Sequence, residues 1–115
     1  MILYIGFSTK THKIYAKILC KKYRHCAPVL FYKNKCVIYQ FVTPKKIVPI
    51  TIKHRDINIL KQYGWVFIKF NGKFIYKRAT NNHALTCVQF TKSVCDIKNK
   101  AIQRPDALLK YITAK

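Results

Sequence analysis

The sequence predicts an α+β fold: a small, mostly antiparallel sheet of hairpins packed by amphipathic helices, with residues 1–115 as a single domain. Three observations predict it. Half of the 115 residues are hydrophobic, which is too apolar for disorder and enough for one core at this length. Short β-rich runs recur between turn residues. Stretches with helical spacing of apolar positions lie between and after them, giving the order β-α-ββ-β-α-ββ-α-α.

Residues 2–7 alternate loosely and read as a short strand. From Thr11 to about Lys22 the positions Ile14, Tyr15, Ala16, Ile18 and Leu19 form an apolar stripe, with lysines on the other face. Residues 24–32 turn strand-like, and Pro28 within them suits an edge or a bulge. Lys33-Asn34 is a two-residue turn, and Cys36 to Val42 completes a hairpin. Ile47 to Ile52 is a strand interrupted by Pro49. Asp56 can cap a short helix through Tyr63 that Gly64 closes. Trp65 to Phe70, Asn71-Gly72 and Lys73 to Lys77 read as a second hairpin, since Asn-Gly between β-rich runs is a strong turn signal. A helix follows from about Thr86 to Asp96, and a last amphipathic helix runs from Asp106 to Ile112. Strand alternation places Trp65 and its aromatic neighbours in the core.

The chain carries 23 Lys+Arg against 3 Asp+Glu, a net charge of +20. With Asp56, Asp96 and Asp106 as the only acids, paired-carboxylate catalysis and a carboxylate Mg²⁺ or Ca²⁺ site are both nearly excluded. Two explanations of the charge stay open. One is an anionic partner drawn by the field. The other is AT-rich coding, which also fits 19 lysines to 4 arginines and abundant Ile, Asn, Tyr and Phe. The segments Lys21-Lys22-Arg24 and Lys45-Lys46 fit solvated charge.

There are five cysteines, Cys20, Cys26, Cys36, Cys87 and Cys95. They form no C-x-x-C pair, so no metal is expected, and no cofactor motif is present. The segment Met1 to Phe7 lacks the basic start and long apolar core of a signal peptide. No apolar run reaches the ~20 residues of a membrane span. The expectation is a chain made in the cytoplasm, with free thiols and no membrane span.

Thr86-Cys87-Val88-Gln89 carries the strongest chemical signal. Thr-x-x-Gln before an apolar run is a capping box, which makes Cys87 the first residue of a helix. There, free N–H groups and the positive end of the helix dipole favour the thiolate. A thiol nucleophile needs a base. If Lys33-Asn34 is the turn, His25 lies opposite Val42, and Gln40 points to the same face as His25. A neutral amide at Gln40 can then orient the imidazole. His83 falls in a loop four residues before Cys87, and His12 and His54 sit at cap or turn positions and look solvated. The simpler alternatives are a small buried thiol at Cys87, a strand histidine bonded to a backbone carbonyl at His25, and an ordinary strand amide at Gln40.

The basic amphipathic segment Ile14 to Tyr23, then Arg24-His25 opening a strand, a tight turn, Val37 to Gln40, and a late Asn82 to Phe90 segment resemble a known pattern. It is that of the circularly permuted papain-like thiol hydrolases, the lecithin-retinol-acyltransferase-like and permuted NlpC-type cell-wall peptidase families. The resemblance covers residues 7–41 and 81–97. It implies a permuted papain-like fold with His25 as base, Cys87 as nucleophile and Gln40 as orienting residue. This chain departs at Arg24 (usually Ser), Ala27-Pro28 (where Gly is common), Thr86 (usually Asn) and Gln40 (usually His or Glu).

Together these features lead to the expectation of a small cysteine hydrolase, a peptidase or amidase. It would act on an amide-containing substrate, with peptidoglycan or another anionic polymer suited to the charge. Size and codon usage suggest a phage-encoded protein packaged in a virion beside other virion proteins. The alternative is a non-catalytic basic module or virion structural component that binds nucleic acid or an anionic surface through its lysine-rich face.

Overall fold

A computed structural model describes residues 2–9, 25–43, 46–80 and 83–114. The expected helix from Thr11 to Lys22, with Cys20 and His12, lies outside the described residues, as do Arg24 and Asn82. Five strands form one antiparallel sheet: β1 (Ile2–Ser8), β2 (His25–Phe31), β3 (Lys35–Thr43), β4 (Lys46–Lys53) and β5 (Trp65–Lys69). Their spatial order is β4-β3-β2-β1-β5. A 3₁₀ turn at His54–Asp56 leads into α1 (Ile57–Gln62), and α2 (Tyr76–Thr80), α3 (Cys87–Val94) and α4 (Pro105–Thr113) follow β5.

Period-two alternation sorts the sheet into two apolar faces. One face carries Ile5, Phe7, Cys26, Leu30, Tyr39 and Phe41. It is covered by Phe90, Val94 and Leu108 from the later helices. The other carries Ala27, Val29, Cys36 and Ile38, which pack with Ile57 of α1. The expected turn at Lys33-Asn34 is present. Tyr32 N–H donates to Lys35 O at 2.8 Å, and β2 pairs β3 at Val29↔Ile38, Leu30↔Val37 and Phe31↔Cys36. β2 lies between β1 and β3, so the edge position expected from Pro28 is not met in strand order. The β2–β3 ladder nevertheless stops at Val29, while β2 continues along β1 as far as Ser8↔His25. Pro28, with no N–H to give, marks the point where β2 and β3 part. The His25 end of β2 therefore opens toward β3.

Two local expectations fail. The Asn71-Gly72 hairpin does not form. β5 pairs with β1 instead, and Lys73 to Lys77 is not a strand. The Phe74 ring packs 5.2 Å from the Tyr39 ring, and Ile75 N–H donates to Val94 O at 2.8 Å. These contacts draw the chain over the helical face, where Ala79 of α2 is buried. The long-range burial overrides the local turn signal. Asp56 precedes α1 but makes no side-chain cap, because the 3₁₀ turn already gives it helical angles (φ −90°, ψ −2°).

Gly64 ends that segment with φ +94°, a conformation that side chains resist. A Cβ there would also press on the Thr9 hydroxyl. Gly64→Ala is expected to cost about 1–3 kcal/mol in a urea-unfolding measurement, the usual strain of a non-glycine residue in that region.

Candidate functional site

The N-terminus of α3 is built as its sequence requires. Thr86 is extended (φ −136°, ψ 162°), and its Oγ1 accepts from Gln89 N–H at 3.1 Å. Gln89 Oε1 accepts in return from Leu85 N–H at 2.9 Å. The reciprocal bond thus reaches one residue beyond the usual capping box. Cys87 is the first helical residue, and Val88, Phe90 and Val94 bury the face of α3 that lies on β2. Thr86→Ala removes the cap and is expected to cost about 1 kcal/mol of stability, measured as a shift in the urea midpoint.

His25 opens β2 at the end where that strand leaves β3. Its Nε2 lies 2.9 Å from Gln40 Oε1. An amide oxygen only accepts, so in this contact Nε2 donates to Gln40. The His25 ring also acts to lower the Cys87 thiol. The geometry joins His25 to Gln40, and Cys87 stands at the start of α3, which lies over β2. The ladder does not extend to the His25–Val42 pair expected from the turn, but the imidazole still reaches Gln40 across the gap.

The Cys87 thiol is pulled down to about 4. The hydrogen bond from the Cys26 side chain is the largest cause; burial opposes it. The His25 hydrogen bond, the His25 charge and the Cys26 backbone N–H add to the lowering. Cys87 is thus a thiolate at neutral pH, the reactive form. Its partner Cys26 is wholly buried. Burial, followed by the contact with Cys87, pushes the Cys26 thiol well above its ordinary value. Cys95, at the far end of α3, is pushed up to about 12 by burial.

Two residues that sequence reasoning missed complete the site. Cys26 is one. Strand alternation puts it on the face opposite His25, the face α3 covers, yet no motif marks it. Trp65 is the other. It packs against the second apolar cluster as expected but is only half-buried, and its ring stands edge-on to His25 at 6.0 Å. Ser8 pairs with both His25 and Trp65, which sets the two side chains on one face. Gly6 makes room for the indole: a Cβ there would stand 2.9 Å from the ring. His83 and His54 are exposed, and the His54 ring meets Phe31 at 5.4 Å. A cavity of about 420 Å³ lined by Leu3, Leu30, Lys69, Phe70 and Phe74 opens at the opposite end of β1 from this chemistry.

Among the described residues, no three His, Cys, Asp or Glu side chains cluster to hold a metal ion. No helix among them is long and apolar enough to cross a membrane. The chain matches no protein-family model, no curated protein and no solved structure.

Proposed function

We propose that this protein is a small thiol hydrolase, a peptidase or amidase, with a permuted papain-like arrangement in which the histidine precedes the cysteine. The observations that carry the reading are the His25–Gln40 contact at 2.9 Å and the capped helix start at Cys87, whose thiol His25 helps to lower. Nucleophile, base and orienting group occur together, as covalent amide hydrolysis requires.

The Cys87 thiolate attacks the amide carbonyl carbon. The N–H of Cys87, free of the helix's own ladder, supports the oxyanion. Protonated His25 gives its proton to the leaving amine, and the resulting thioester is hydrolysed by a water that His25 deprotonates. In this reading Gln40 fixes the imidazole through Nε2, and Nδ1 is the nitrogen that exchanges protons at the reacting groups. With three acids against 23 basic residues, most of the positive charge has no partner within the chain. An anionic polymer such as cell-wall material is therefore the substrate class that the charge favours. Packaging in a virion would suit such an activity.

A chromogenic active ester tests the chemistry without knowledge of the natural substrate. The expected result is a burst of product, with one acyl group mapped to Cys87. An adduct distributed over other residues, or no burst, contradicts the proposal. The +20 charge favours a second reading, a basic module that binds nucleic acid. Salt-sensitive retention on DNA or RNA, together with a Cys87 no more reactive than Cys95, would select it.

A further inference from the structure

We propose that Cys26 is a resolving thiol: a hydroperoxide oxidises Cys87, and Cys87 then closes a reversible disulfide with Cys26. The inference goes beyond hydrolysis. It rests on where α3 sets Cys87 relative to Cys26 and on no particular amide substrate.

Cys26 Sγ lies 3.6 Å from the Thr91 hydroxyl, and Cys87 stands one helical turn before Thr91 on the same face of α3, in the same apolar cluster as Cys26. Cys87 is partly exposed, whereas Cys26 is wholly buried, so an oxidant in solution meets Cys87 first. The other described thiols are badly placed to compete. Cys36 belongs to the apolar cluster on the opposite face of the sheet. Cys95 lies eight residues along α3, about 12 Å by helical rise. Joining Cys26 to Cys87 needs the two sulfurs to come to about 2.05 Å. Cys87 is the first residue of its helix, so its own N–H is not tied into the helical ladder.

The chemistry balances in two steps. The Cys87 thiolate attacks one peroxide oxygen, the O–O bond breaks, and Cys87 sulfenic acid forms as the peroxide is reduced to alcohol or water. The Cys26 sulfur then attacks the sulfenic sulfur, the S–O bond breaks, and the hydroxyl leaves as water with the Cys26 proton. The surroundings favour this order. Contact with charged Cys87 helps keep Cys26 protonated, and that influence disappears once Cys87 is a neutral sulfenic acid. The buried Thr91 hydroxyl, 3.6 Å from Cys26 Sγ, favours the attacking thiolate. The disulfide removes the nucleophile until a dithiol restores it.

The test treats the full chain with stoichiometric hydrogen peroxide and maps its cysteines by mass spectrometry, with dimedone as a sulfenic acid trap. The expected product is a Cys26–Cys87 disulfide that dithiothreitol reverses. Cys26→Ser should instead accumulate a dimedone-trapped Cys87. A disulfide to any other cysteine, unoxidised Cys87, or trapping in the unsubstituted chain as complete as in the variant would overturn the proposal. If Cys26→Ser does not fold, the disulfide map of the unsubstituted chain decides alone. Failure of the ester burst leaves this result standing, because peroxide reads the thiols without acyl transfer.

Discussion

Replacing His25 with alanine is expected to lower acyl transfer at Cys87 by about 10²–10⁴-fold, the usual contribution of a positioned acid–base group. The loss should be much larger for acyl transfer than for simple alkylation. Alkylation needs only the thiolate, and the largest influence lowering the Cys87 thiol is Cys26, which the substitution leaves in place. Proton delivery to a leaving amine has no substitute once the imidazole is gone. The pH at which Cys87 ionises should move upward, because the hydrogen bond and the charge of His25 both hold it down. The fold should survive, since His25 is a half-exposed first residue of β2 that pairs with β1 alone. Paired measurement of ester turnover and iodoacetamide alkylation checks this. Equal losses in both would mean that His25 acts only by tuning the thiol.

Phe90→Ala should be the most damaging single truncation in the helical layer, at about 3–5 kcal/mol for an emptied aromatic site. Phe90 is wholly buried, and its ring lies 5.9 Å from that of Phe41 on β3. It is part of the contact that lays α3 on the sheet and carries Cys87 toward the parting of β2 and β3. A domain of this size has only about 5–15 kcal/mol in total, so the variant should lose a large share of its urea resistance and the low pH of Cys87 ionisation together. A stability loss under about 1 kcal/mol would mean that Phe90 does not hold the helix in place.

The parts of the fold legible in the sequence are those fixed by local patterns. The strand alternation around Val29 and Ile38, the Lys33-Asn34 turn and the Thr86 cap all depend on residues close in sequence, and each appears where its pattern puts it. The turn also placed Gln40 on the His25 face, which is why a contact across fifteen residues could be foreseen. Lys73 to Lys77 was misread because its fate depends on Phe74 meeting Tyr39 and on Ile75 meeting Val94, partners distant in sequence. Cys26 was invisible for the same reason: its role comes from α3 arriving over β2, which no spacing within β2 records. Trp65 alternates like a core residue, but Gly6 leaves its ring lying half-buried beside His25.

The most direct test of the Cys87–His25 site is the pH dependence of alkylation at each cysteine, read by mass spectrometry after brief iodoacetamide exposure. Cys87 is expected to react at a steady rate through neutral pH and to fall to half near the pH of about 4 at which its thiol ionises. Buried Cys95, pushed up to about 12, should stay unlabelled across the same range. A Cys87 rate that climbs only through about pH 8.5, as for an ordinary thiol, would contradict it.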